Sequence, residues 1–297
     1  MKLSPVLLFT YKRPDQTRQT VEALQRNHLA DQSELYIFSD GPRTEADADK
    51  VQHVREYLKT IDGFKKTTLK LSDKNQGLAA SIIGGVTELI NTYGKVIVLE
   101  DDLVTSTNFI SFCNQALSHY KDDPQVFSVS GYTRPISGLK DNGVYFTSRA
   151  SSWGWASWKE KWNDVDWEVK DYAGFSSDSR ARRAFNRMGS DMAAMLDKQM
   201  RGDIDSWAIR WCYHQFRNSY VTVFPATSKV RNIGFNEAAS HTTSRFNNFR
   251  TDLDRSGNQT FEFSRNFNLD KNIIREFTRP YWLSERIKNK VLNKIFS

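Results

Sequence analysis

The chain has 297 residues, 26% of them charged and 13% aromatic, and carries a net charge of +7. That length holds one large domain or two modest ones, and the composition excludes a disordered chain. The positive balance suits an acidic ligand, a nucleic acid or an anionic membrane face without choosing among them.

In chain order, PVLLFT (5–10) reads as a strand, and the turn YKRPD leads into an amphipathic helix, TRQTVEALQRN. ELYIFSD (34–40) is a second strand ending in an Asp-Gly-Pro turn. Residues 45–59 are helical in pattern, TTLKLS (67–72) is a third strand, and a helix opens at Asn75–Gly77. The strand KVIVLE follows, then three carboxylates, then the helix TNFISFCNQALSHYKDD. Strands alternating with helices predict parallel βαβ units covered on both faces, with ligands beyond the carboxyl ends of the strands. YKRP, SDGP and EDDL all fall there. The fold expected is α/β, a mostly parallel central sheet flanked by helices.

After about residue 125 the alternation weakens. QVFSVSGY and VYFTS read as strands, 178–200 as a basic and apolar helix, RGDIDSWAIRWCYHQFR as a loop running into a helix, and YVTVFPATSKV as a late strand. Cys113 and Cys212 fall in apolar, helix-like stretches and read as buried free thiols, so neither a disulfide framework nor a cysteine-ligated zinc is supported. The first apolar run is too brief for a signal-peptide core, and no segment approaches the ~18 apolar residues of a spanning helix. A cytoplasmic protein is expected, free or resting on the inner face of the plasma membrane.

Four groups of residues could carry chemistry. Glu100, Asp101 and Asp102 end a hydrophobic strand where the chain turns, so their carboxylates can converge on Mg²⁺ or Mn²⁺. A solvated acidic loop favouring the next helix's dipole is the plain alternative. Asp203 and Asp205 lie beside Trp207; either could take a proton from an acceptor hydroxyl, or cap the helix starting near Ser206, the reading preferred for Asp203. Arg231, Asn232 and His241 follow the late strand in a loop able to clamp a diphosphate. Trp153, Trp155, Trp158 and Trp162 are spaced for one face of a helix start. Exposed rings there would stack on sugars, packing suits Trp158 and Trp162, and Gly154 would let a ligand or backbone approach.

YKRP, SDGP, DKNQG, VIVLEDDL, SSWGWASW, DIDSW and NIGFNEAASHT, in this order over roughly residues 5–245, resemble the GT-A glycosyltransferases. More narrowly, the chain is similar to bacterial sugar transferases related to glycosyltransferase family 2 and to N-acetylglucosaminyltransferase I. The resemblance implies a nucleotide-sugar donor, UDP-linked, and a glycan or lipid-linked glycan acceptor. It makes EDD the DxD-type motif, with Asp102 on the divalent metal (Mn²⁺ or Mg²⁺) and Asp101 and Glu100 near the ribose and sugar. Thr10, Arg13 and Asp40 would hold the nucleotide, Lys74 and Asn75 would border the uracil, and Arg231 and His241 would lie on the donor side, His241 also as a metal candidate. Trp153, Gly154, Trp155 and Trp207 would line the sugar and acceptor site. Asp205 is favoured over Asp203 as the base, although Ser206 stands where the eukaryotic relatives carry a second acid.

The expected organisation is a glycosyltransferase domain over 1–245, with 1–125 binding nucleotide and 126–245 carrying the acceptor side, then a basic extension over 246–297. In that extension Trp282, Leu283, Ile287, Val291 and Ile295 fall near helical spacing among Lys and Arg, which suits either an anionic membrane surface or a packed terminal helix. Two other classes compete. A sugar-1-phosphate nucleotidyltransferase usually carries a glycine-rich loop near its first strand, and YKRPDQ has no glycine. A basic nucleic-acid-binding module would set phosphates against the carboxylate cluster, so no nucleic-acid partner is expected.

Overall fold

The computed structural model describes residues 2–234 and 249–296. The first half is built from β1 (Val6–Thr10), α1 (Pro14–Gln25), β2 (Glu34–Ser39), α2 (Ala48–Leu58), β3 (Lys66–Leu71), α3 (Leu78–Tyr93) and β4 (Lys95–Glu100). Strands β3, β2, β1 and β4 lie side by side and parallel. Val6–Thr10 and Val96–Leu99 are buried throughout, as strands covered on both faces must be.

The chain then departs from simple alternation. A three-residue strand, β5 (Leu103–Thr105), precedes α4 (Phe109–His119), so Asp102 leads into a strand and not into a helix. Next come β6 (Val126–Ser130), β7 (Val144–Thr147) and β8 (Trp155–Trp158). The expected helix start at the tryptophans is in fact β8, wedged antiparallel between β4 and β6. Its side chains alternate between the faces of the sheet: Trp155 joins one core, Ala156 and Trp158 the other. A helix, α5 (Lys159–Asn163), begins only afterwards. The basic stretch 178–200 holds two helices, α7 (Ser179–Phe185) and α8 (Met192–Met200), after a short α6 (Tyr172–Ser177).

The helix α9 (Trp207–Arg217) precedes β9 (Val221–Pro225), which runs parallel to β6 and antiparallel to β7. The main sheet thus reads β3-β2-β1-β4-β8-β6-β9-β7. β10 (Val230–Asn232) pairs antiparallel with β5 as a separate ribbon, joining Asn232 to Leu103 beside the carboxylate triplet. Helices α1, α2 and α4 cover one face of the sheet and α3, α8 and α9 the other. Beyond residue 249 the chain is irregular until α10 (Lys271–Thr278) and α11 (Leu283–Phe296), yet Phe261, Phe263 and Phe267 pack on the first core. Both cysteines are buried free thiols.

Candidate functional site

A cleft of about 1040 Å³ opens where β1, β2, β3 and β4 end, roofed by the first turns of α3. Parallel strands leave their last amides and carbonyls at this edge, so loops carrying polar side chains collect there. Thr10 closes β1, and its carbonyl accepts the Asp40 amide at 3.0 Å. From the end of β4, Glu100, Asp101 and Asp102 all line the cleft.

Among the described residues, Arg13 is the cation that reaches this triplet. Its Nη1 donates to Asp102 Oδ2 at 2.6 Å and lies 3.6 Å from Asp101 Oδ1. The Tyr11 amide donates to Asp101 Oδ2 at 3.1 Å, and the Thr20 hydroxyl to the Asp101 carbonyl at 2.9 Å. The Ile233 amide donates to the Asp102 carbonyl at 2.8 Å. Gly234 packs so closely that a Cβ there would collide with Asp102 Oδ2. Burial pushes Asp101 up to about 7, reinforced by the Asp102 charge and opposed by Arg13. Burial and then its two acidic neighbours raise Glu100, and burial raises Asp102 against the pull of Arg13. Adjacent hard oxygens with surplus negative charge are the kind of donors a divalent cation takes. No group of three His, Cys, Asp or Glu among the described residues forms a metal cage.

Asp40 builds the end of the cleft beneath β2 and α3. Its Oδ1 accepts the Gly41 and Gln76 amides, each at 2.9 Å, and Oδ2 lies 3.4 Å from the Ser81 hydroxyl. The carboxylate therefore ties the β2 turn to the start of α3. Asn75 bridges the same loops, donating to the Gly41 carbonyl at 3.0 Å. Gly41 is required here, since a Cβ would lie 2.6 Å from the Lys74 carbonyl carbon. The Lys74 side chain is exposed and outside the cleft wall, contrary to expectation, because its backbone is what packs against Gly41. Arg55 holds this edge too, with Nη2 donating to the carbonyls of Asp40 at 3.3 Å and Ser72 at 2.5 Å. In the last turn of an amphipathic helix, it reads from sequence as an ordinary surface charge.

Asp205 meets α3 from the other half of the chain. Gly77, at φ +81°, offers that helix no side-chain cap, and Asp205 Oδ2 accepts the Ala79 amide at 3.2 Å instead. Asp205 is otherwise exposed and, like Lys74, is not part of the cleft wall, which it meets only at its rim beside Gly77. Asp203 does not cap α9; it pairs with Arg201 at 2.8 Å, and the Ser206 hydroxyl caps the helix.

The aromatic residues divide. Trp153 lines the cleft, its ring edge-on to Tyr132 at 4.6 Å. Trp155 and Trp207 do not reach it: they are 1% and 2% exposed, packed with Trp162 and Trp211 in the core, and no ring face is left for a sugar. Gly154, at φ +61°, serves a close approach by protein, with Val230 Cγ2 only 2.6 Å from where a Cβ would sit. Arg231 is exposed on β10 and outside the cleft wall, because strand alternation gives the inner positions to its neighbours; Asn232 and Gly234 line the cleft in its place. His241 lies outside the described residues.

No family model and no curated protein matches this chain. Among solved structures it is similar to the mannosyltransferase PcManGT from Pyrobaculum calidifontis, a complex with GDP-Man and Mn²⁺. The two share 14% identity over 53% of this chain and 45% of that one, at a TM-score of 0.35. It is also similar to S. aureus TarS, at 13% identity over 47% of this chain and 23% of that one, with a TM-score of 0.34. The chain spans under half the length of either.

Proposed function

We propose that the chain is a divalent-metal-dependent, inverting glycosyltransferase that moves a sugar from a UDP-linked donor to a hydroxyl of a glycan or lipid-linked glycan. One observation carries the reading: an acidic triplet with surplus negative charge ends β4 inside a cleft that also receives the ends of β1, β2 and β3. A cleft near 1040 Å³ suits a nucleotide sugar. Mn²⁺ or Mg²⁺ held by Asp102 would neutralise the charge that builds on a leaving diphosphate. Arg13 would add a second positive charge on the same side.

On this reading residues 1–125 bind the nucleotide, 126–245 bring the acceptor, and 246–297 form a basic extension. The Asp40 and Asn75 loops shape the base and ribose end, and Trp153 offers a ring face to the sugar or acceptor. Asp205, at the rim of the cleft beside Gly77, would take the acceptor proton through Oδ1, since Oδ2 is bound to the Ala79 amide. A single displacement inverts the anomeric centre and needs no carboxylate nucleophile.

Calorimetric titration of UDP in the presence of Mn²⁺ tests the core of the proposal. Asp102→Asn should abolish the metal-dependent part of the binding, and an unchanged titration would remove Asp102 from its role. Thermal shift against a panel of UDP-, GDP- and dTDP-sugars then identifies the donor.

A further inference from the structure

We propose that α11 lies flat on an anionic lipid surface, with Leu283, Ile287 and Val291 as its membrane face. These residues are 62%, 54% and 50% exposed, and Trp282, just before the helix, is 38% exposed. At i, i+4 and i+8 they form one stripe along the helix. Glu285, Asn289 and Leu292 fall on the opposite side and are partly buried, so the apolar stripe is the more exposed side of the helix. A core helix would bury the stripe.

Charge selects the occupant. The helix carries Arg286, Lys288, Lys290 and Lys294 against Glu285, in a chain of net charge +7. Arg286 and Lys288 are exposed beside the stripe. An apolar stripe bordered by basic side chains matches the boundary between acyl chains and anionic headgroups, where tryptophan also partitions well. Four apolar side chains fall far short of the roughly 20–30 residues a side of a stable protein interface. No helix among the described residues is long and apolar enough to cross a membrane, so this one would rest on the surface.

The base of the helix is fixed to the body. Arg149, paired with Asp191, stacks on the Tyr281 ring at 3.7 Å, and the Ser190 hydroxyl donates to the Tyr281 carbonyl at 2.6 Å. The Tyr281 ring lies 5.3 Å from Phe249, which lies 6.0 Å from Trp153 in the cleft wall. Two ring contacts therefore join the proposed lipid face to the cleft. The inference stands on the surface of the helix and holds whatever the cleft transfers.

The test sediments the full chain with vesicles of phosphatidylcholine, alone or mixed with phosphatidylglycerol. Binding should appear on the mixed vesicles, stay weak on phosphatidylcholine alone, and reverse with added salt. Combining Leu283→Ser, Ile287→Ser and Val291→Ser should lower partitioning about a hundredfold. Combining Arg286→Gln with Lys288→Gln, which leaves the apolar stripe intact, should lower it roughly tenfold on mixed vesicles. A parent chain that stays in the supernatant with mixed vesicles overturns the inference, as does a triple variant that binds like the parent. So does sedimentation velocity showing a dimeric parent and a monomeric triple variant, which assigns the face to a second copy. None of these readouts involves sugar transfer.

Discussion

Lys229 and Asp254 are side by side in the interior, 1% and 6% exposed, and join the irregular stretch after residue 249 to the strand that feeds the cleft. Asp254 also accepts from Asn108 Nδ2 at 2.9 Å and from the Ser256 amide at 2.7 Å. The Lys229 ammonium sits near the rings of Phe112 and Phe261. Lys229→Met keeps a long apolar stem in that setting while removing the charge, so the change isolates the ion pair from packing. A buried carboxylate stripped of its cation costs ~3–5 kcal/mol. The two surviving donors hold part of the charge, which sets the expectation at ~3 kcal/mol. In a chain of this size that lowers the melting temperature by about 5–10 °C. Adding Asp254→Asn removes the orphaned charge and should bring stability back to within ~1.5 kcal/mol of the parent.

The pH dependence has a definite sign. Burial pushes Asp254 up, but the hydrogen bonds from Asn108, Lys229 and Ser256 outweigh it and hold the group at about 2 against an ordinary 3.8. A depressed carboxylate contributes stability that is complete above its unfolded value and is lost as pH falls through the folded one. The Lys229→Met penalty should therefore be full at neutral pH and shrink below about pH 4. Urea unfolding followed by circular dichroism, repeated across this range, measures both effects. A loss under ~1 kcal/mol would place the pair in the class of weak surface bridges and refute it as a tether. So would a double variant no more stable than the single one.

Two further outcomes bear on the cleft. Asp205→Asn should lose transfer while keeping donor and Mn²⁺ binding and a stability within ~0.5 kcal/mol of the parent, since Asn caps a helix about as well as Asp; transfer at the parent rate would reject Asp205 as the base. Gly234→Ala drives a methyl group into Asp102 Oδ2 and should weaken Mn²⁺ binding roughly 10–100-fold with the fold retained, as calorimetry and a thermal melt would show; an unaltered Mn²⁺ titration would mean that Asp102 is not a ligand.

Much of the fold is legible in residues that repeat a local signal. Val6–Thr10, Glu34–Ser39 and Val96–Glu100 are apolar or alternating runs cut off by turn residues or charge, so their strands and the place of the cleft at their ends can be read directly. β5 could not be, because three residues behind a carboxylate cluster make no period, and its partner lies more than a hundred positions away. The tryptophans mislead for a related reason: spacings of two, three and four satisfy a strand and a helix alike, and only the β4 and β6 edges decide. Arg55 and Gly234 were invisible because what they do is set by backbone they meet in space.

The start of α3 shows why the proposed base and the fold cannot be treated apart. The first amides of any helix need acceptors from outside it, and glycine at its cap supplies none. Asp40, from the first half of the chain, takes the Gln76 amide two residues before the helix; Asp205, from the second half, takes the Ala79 amide within its first turn. Two carboxylates thus hold the start of one helix. For Asp205 this has a chemical consequence. The interaction that aims the carboxylate uses one oxygen and leaves the other unbonded among the described residues. Removing the side chain altogether would uncap the helix that roofs the cleft, so a loss of transfer in Asp205→Ala could arise from a displaced α3 as readily as from a missing base. Replacement by Asn separates the two roles, because its oxygen still accepts from Ala79 but cannot take up the acceptor's proton.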